Sequence, residues 1–233
     1  MSSLQISYRF DLPDGTQRSL DLNFDPDTFR LLTPFIEPRP EWTELKFRQC
    51  ANCPLKATEH VHCPAALHMA PAVYSLQEPV SYDRLGVTVQ QASRTLHAEV
   101  SAQRALSSVL GLIMATSGCP WTDRLRPMAR FHLPFATEAE TLYRSVSMFL
   151  MARELNLVGE GGYEALHTLY ENLHVVNRDM SRRLGAATRT DPARNAMALL
   201  DVYAALLPLA LESSLAEFAP LFDAWRGAAD PPI

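Results

Sequence analysis

The chain has no excess of positive charge. Its 21 lysine and arginine residues are outnumbered by 26 aspartate and glutamate residues, which gives a formal net charge of −5. Proteins that bind nucleic acid or an anionic membrane through a global field are basic, so neither partner is expected. A protein partner or a homodimer is compatible with the composition and with an extensive helical surface.

Long apolar runs are also missing. Residues 1–15 lack the basic start and the apolar stretch of a signal peptide. The apolar segment 196–211 is interrupted by Asp201 and Pro208 and is too short to cross a bilayer. We therefore expect a cytoplasmic protein in a reducing compartment, where cysteines are thiols or metal ligands rather than disulfides.

Common catalytic motifs are absent as well. The sequence contains no G-x-S-x-G elbow, no P-loop and no dinucleotide-binding fingerprint. If the protein is an enzyme, its catalytic residues do not follow any of these motifs. The residues that could bind a metal are therefore the next candidates for a functional site.

Hydrophobic periodicity changes near residue 100. Alternating apolar residues predict a β-hairpin over residues 3–24, a strand over 44–49, and two strands over 86–91 and 95–100. Beyond residue 100 the period becomes helical, and Thr137 with Glu140 forms a capping-box pattern at the start of one helix. The sequence therefore predicts an α+β fold. A small antiparallel sheet in a β-rich part, residues 1–100, packs on a C-terminal helical bundle, residues 101–233, as one integrated unit.

The chain has only four cysteines, and their pattern is C-x2-C-x9-C-x55-C. The two residues between Cys50 and Cys53 allow both sulfurs to face one ion, and Cys63 follows within a short loop. Cys119 would have to come from the helical part. Cys53, Cys63 and Cys119 are each followed by proline, a step that also occurs at iron–sulfur ligands.

Three interpretations of these cysteines remain open. The first is a structural zinc site formed by all four, with His60 or His62 as an alternative fourth ligand. The second is a [4Fe–4S] cluster, which the repeated Cys-Pro step favours. The third is that Cys50 and Cys53 are small buried side chains without a metal. Zinc is preferred, because a C-x2-C pair with nearby histidines is typical of zinc sites.

The phrases CANCPL at Cys50, HCPAAL at His62, MATSGCP at Met114 and RPMARFHLPFAT at Arg126 resemble an uncharacterised family of bacterial proteins. The resemblance covers about residues 45–150. It implies that Cys119 belongs to the same site as the other three cysteines, and it implies no known activity.

Three functions follow as hypotheses. The first is a non-enzymatic zinc protein with an interaction or regulatory role, and the second is an iron–sulfur protein in electron transfer or redox sensing. The third is a metal-dependent enzyme with a basic pocket formed by Arg126, Arg130 and His132 beside the metal. Another group of cations, Arg178, Arg182 and Arg183, is interpreted as complementing the dipole of the long helix near its C-terminus.

Overall fold

The computed structural model describes residues 4–159, 162–187 and 191–225, with the backbone alone over 208–214. Within these residues the chain forms four strands and six α-helices. In chain order they are β1 (Leu4–Asp11), β2 (Gln17–Phe24), α1 (Pro64–Ser75), β3 (Arg84–Gln91), β4 (Arg94–Ser101), α2 (Ala102–Thr116), α3 (Arg126–Arg130), α4 (Glu138–Glu154), α5 (Glu164–Ala187) and α6 (Pro192–Phe218). Short 3-10 helices cover Glu41–Thr43, Thr122–Leu125 and Ala219–Trp225.

The four strands form one antiparallel sheet in the order β2-β1-β3-β4. Every second residue of β1 is buried, among them Tyr8 and Phe10, so one face of the sheet turns towards the core. The predicted hairpin and the two later strands are confirmed by these elements.

Helices cover the apolar face of the sheet and then stack on one another. Helix α2 contacts β3, β4, α1 and α6, and α6 contacts α5 and α4. One hydrophobic cluster joins the sheet, α1 and α2 to the C-terminal part of α5, and a second joins α4 to α5 and α6. The α+β prediction is confirmed, and no helix in the described residues is long and apolar enough to cross a membrane.

The strand predicted over residues 44–49 is wrong. A 3-10 helix over Glu41–Thr43 leads into a turn, where Arg48 has a positive φ of 45°. Glu44 makes an isolated bridge to His62. Leu45 is buried and Phe47 packs on the core, which mimics the alternation of a strand. The carbonyls of Glu44 and Leu45 accept hydrogen bonds from Arg183, however, so they do not pair with a neighbouring strand.

The capping box at the start of α4 is present as predicted. The Thr137 hydroxyl accepts a hydrogen bond from the Glu140 amide at 3.2 Å, and the Glu140 carboxylate accepts one from the Thr137 amide at 2.7 Å. The Glu140 carboxylate accepts hydrogen bonds from the Thr137 amide and hydroxyl, and these lower the pKa of Glu140, since its charged form is the better acceptor.

Replacing Thr137→Ala removes one half of this box and leaves a helix-terminal amide without its acceptor. We expect the free energy of unfolding to fall by about 1 kcal/mol. Chemical denaturation followed by circular dichroism measures the change. Glu140→Gln is the matched control, because glutamine keeps an acceptor for the Thr137 amide, and a larger loss in the control than in Thr137→Ala would contradict the interpretation.

Candidate metal centre

All four cysteine side chains border one small cavity. Cys63 is buried and the other three are half-buried. The cavity has a volume of about 10 Å³, close to the smallest that holds a water molecule. Cys63 and Cys119, which 55 residues separate in the chain, are thus neighbours in the fold.

The turn that carries Cys50 and Cys53 is held against α5. The Cys53 amide donates to the Cys50 carbonyl at 3.0 Å, which closes the turn. The Ala51 amide donates to the Asp179 carboxylate at 2.9 Å. The Asn52 side chain donates to the main chain and side chain of Asn172 at 3.1 and 3.0 Å. The C-x2-C turn is therefore fixed by hydrogen bonds to α5, about 120 residues away in sequence.

Cys63 is the N-cap residue of α1, with Pro64 in the first turn. Its own amide donates to the Thr43 carbonyl at 2.8 Å. Burial raises the pKa of the Cys63 thiol, while hydrogen bonds from the amides of Ala66 and Ala65 act in the opposite direction. A thiolate at this position would be stabilised by helix amides, as at other helix N-termini.

Cys119 reaches the site because α2 ends sharply. Gly118 follows the helix with a positive φ of 86°, which glycine adopts without strain and which turns the chain back towards the loop. The indole of Trp121 then donates to the Asn52 carbonyl at 2.8 Å and ties this segment to the C-x2-C turn. The other residues that border the cavity are largely apolar: Pro54, Leu55, Pro64, Ala65, Pro120, Trp121, Val176 and Met180.

A buried guanidinium lies beside the cysteines. Arg183 has no exposed surface. Its Nη1 donates to the carbonyls of Trp42 and Glu44 at 2.8 and 2.7 Å, and its Nη2 donates to Leu45 at 3.2 Å. Its Nε is buried and has no acceptor among the described residues. Within the same residues, no carboxylate lies within 4.0 Å of this guanidinium.

Burial and the neighbouring thiols shift the pKa of Cys50. Burial raises its pKa to about 12, and the nearby Cys63 and Cys119 add to the rise. Arg183 acts in the opposite direction, and Asp179 raises the pKa further. A thiol with this pKa stays protonated at neutral pH unless a cation takes the place of its proton.

Arg183 is the residue beside the candidate site that the sequence interpretation missed. It was assigned to the helix dipole together with Arg178 and Arg182, which do lie towards solvent and pair with Asp179. The signal was present, because Arg183 follows the buried Val176 and Met180 at helical spacing and so continues an apolar face.

The two histidines proposed as alternative ligands lie elsewhere. His60 is exposed. His62 is half-buried, and its Nδ1 is 2.9 Å from the Thr43 hydroxyl. Neither borders the cysteine cavity.

The cysteines surround the cavity without closing on one point. Among the described residues, no group of three or more histidine, cysteine, aspartate or glutamate side chains is arranged to hold a metal ion. Four sulfurs around one zinc ion stand about 3.8 Å apart, since each Zn–S bond is about 2.3 Å long. The described arrangement therefore differs from a closed zinc shell, although all four cysteines share one cavity.

The basic residues after Cys119 do not form a pocket beside it. Arg126 pairs with Asp123 at 3.4 Å, and Arg130 is exposed with its guanidinium near the rings of Phe29 and Phe131. Neither arginine borders the cysteine cavity or the larger cavity that α2, α5 and α6 help to form.

His132 borders the larger cavity and is buried. Its Nε2 is hydrogen-bonded to the Tyr8 hydroxyl, which also pairs with the Ser108 hydroxyl at 3.0 Å. Burial lowers the pKa of His132 to about 3, and the positive charges of Arg144 and Arg94 lower it further. The imidazole is therefore neutral near pH 7 and serves as a hydrogen-bonding group.

This burial predicts acid sensitivity. Below a pH of about 6.5 the unfolded chain binds a proton at His132 that the folded chain excludes, so stability falls as the pH decreases towards 3. His132 contributes up to about 1.4 kcal/mol per pH unit to the slope of the unfolding free energy against pH, and His132→Gln removes this contribution. Urea unfolding at several pH values measures it, with the exposed His60→Gln as control. Equal slopes in wild type and His132→Gln would contradict the assignment.

The chain matches the model of one protein family, a domain of unknown function (DUF6901), over residues 6–223. Searches of curated proteins and of solved structures gave no significant match. The match extends well beyond the segment for which the sequence motifs suggested an uncharacterised family. Because it includes nearly all of the sheet and of the helical layers, the chain belongs to the DUF6901 family.

Proposed function

We propose that the chain binds a [4Fe–4S] cluster through Cys50, Cys53, Cys63 and Cys119 and acts in electron transfer or redox sensing. The observation that carries this proposal is the convergence of all four cysteines on one cavity. Four thiolates are the ligand set of such clusters. When bound, the cluster would supply one-electron transfer.

The donor set and the residues that follow the cysteines support the cluster. His60 and His62 lie outside the cavity, so the set contains sulfur alone. A cluster binds each of its four cysteines at a different iron atom, and the chain has four cysteines. The three Cys-Pro steps agree with this interpretation.

Arg183 supports an anionic group at this position. A buried cation without a carboxylate partner is costly unless a negative charge lies near it. Its unpaired Nε and its influence on the thiols of Cys50 and Cys63 indicate that it faces the cysteine site. Thiolates bound to a cluster would supply the missing negative charge and an acceptor.

The surroundings of the cavity fit redox chemistry. Amides of Ala65 and Ala66 face the Cys63 sulfur, and the wall of the cavity is largely apolar. Hydrogen bonds to sulfur and solvent exclusion both set the potential of a cluster. Cys50, Cys53 and Cys119 are half-buried, so the site lies close to the surface and within reach of a partner protein.

Structural zinc is the second candidate. The small volume of the cavity, about 10 Å³, favours a single ion over a larger group. In that case the ion would join the loop of Cys50 to the end of α2 and stabilise the fold, and the role would be interaction or regulation.

Metal analysis distinguishes these candidates. Protein purified anaerobically, without an affinity-metal step, should contain about four irons with matching labile sulfide and show visible sulfur-to-iron absorption. Cys119→Ser should lose most of the iron, and the matched control His62→Ala should retain it. One zinc per chain would contradict the cluster and support the structural zinc site. Metal-free, folded wild-type protein under these conditions would contradict both candidates.

Arg183 provides a second test. Arg183→Met removes the proposed counter-charge and three hydrogen bonds, so we expect a loss of about 3 kcal/mol in unfolding free energy and a lower reduction potential. Arg183→Lys restores the charge and should recover part of the iron content and potential. Arg153→Met, at an exposed position of α4, is the control. Wild-type iron content and potential in Arg183→Met would show that the guanidinium does not balance the site.

A further inference from the structure

A second cavity, with a volume of about 360 Å³, lies among α2, the segment 122–136, α4, α5 and α6. Its size falls within the range of small-molecule pockets. Apolar side chains supply much of its wall: Leu112, Met114, Leu133, Leu173, Leu199 and Leu200. The cavity is therefore largely apolar and larger than the packing voids found in a close-packed core.

The charged groups at this cavity are all of one sign. Arg104 and Arg144 border it, and no aspartate or glutamate among the described residues does. Neither guanidinium has a carboxylate within 4.0 Å in that part of the chain. Glu140, one turn before Arg144, instead binds Thr137.

Main-chain carbonyls position both arginines. Arg144 donates from Nη2 to Met128 at 2.6 Å and Phe131 at 3.2 Å, and Arg104 donates from Nη2 to Phe135 at 3.0 Å. These bonds use only Nη2 of each guanidinium. Their acceptors are neutral carbonyls, so no anion among the described residues balances the positive charge of either arginine. Arg104 is exposed and Arg144 half-buried, so the positive side of the cavity reaches solvent.

The other titratable groups at the wall do not compensate this charge. His132 is neutral near pH 7, since burial holds its pKa far below the ordinary value. Tyr170 is buried, its hydroxyl bonds to Ser145, and burial raises its pKa to about 12. The cavity is thus apolar in its interior and positive at one side.

We propose that this cavity binds a small amphipathic carboxylate, a molecule with one anionic head group and an apolar body. The head group pairs with Arg144 and Arg104, for which a carboxylate is the geometric match. The apolar body lies against the leucines of α2, α5 and α6. This site is separate from the cysteine cavity, and its ligand does not depend on a metal.

Isothermal titration with three probes of equal chain length tests the proposal: octanoate, 1-octanol and octylammonium. The wild type should bind octanoate about tenfold more tightly than octanol, because an ion pair with the arginines adds to the shared apolar contact, and it should bind octylammonium least. Arg144→Gln and Arg104→Gln should weaken octanoate and leave octanol unchanged. Arg130→Gln, an exposed arginine outside the cavity, should bind like the wild type.

A variant that fills the cavity tests whether the probe binds inside it. Gly111 borders the cavity, and a Cβ added there would lie 3.4 Å from Leu200 Cδ2, an ordinary contact distance. Gly111→Leu should therefore fold, as circular dichroism would verify, and weaken octanoate and octanol alike. Octanoate binding that survives Gly111→Leu, that equals octanol binding, or that is absent from the wild type would overturn the proposal.

Discussion

The buried guanidinium of Arg183 connects the helical layer to the irregular loop that carries three of the four cysteines. Its hydrogen bonds replace the ladder that a strand at residues 44–49 would have needed, and they present the loop to α5. The turn of Cys50, held by Asp179, and the segment of Cys119, held through Trp121, then face the same cavity. The position of the cysteine loop against α5 thus depends on the hydrogen bonds that this buried cation makes.

Local rules accounted for much of the fold. The alternation around Tyr8 and Phe10 predicted the hairpin, and the Thr137 pattern predicted the start of α4, because both signals lie within a few residues. The segment 44–49 carried the same alternation through Leu45 and Phe47 and was misassigned. The carbonyls of this segment bind Arg183, which lies about 140 residues away in sequence, and no local pattern reveals such a distant partner.

The candidate sites divide in the same way. Spacing and the family resemblance grouped the cysteines, and the structure brings their side chains to one cavity. The sequence did not reveal the part played by Arg183, because a run of helix cations normally faces water. Nor did it reveal the larger cavity, whose wall is assembled from several helices and one loop segment. His132 drew attention as a basic residue, yet it works as a neutral partner of Tyr8.

The order of the cysteines along the chain has a consequence for how the molecule is assembled. Cys50, Cys53 and Cys63 are separated by two and nine residues, whereas 55 residues separate Cys63 from Cys119. Three thiols are close together even in an unfolded chain, since short loops close at little entropic cost. Cys119 lies next to the other three only in the native arrangement of β3, β4 and α2, because these elements lie between Cys63 and Cys119 in the chain. A ligand that required all four thiols would therefore be bound only by a chain in which the sheet and α2 are in place.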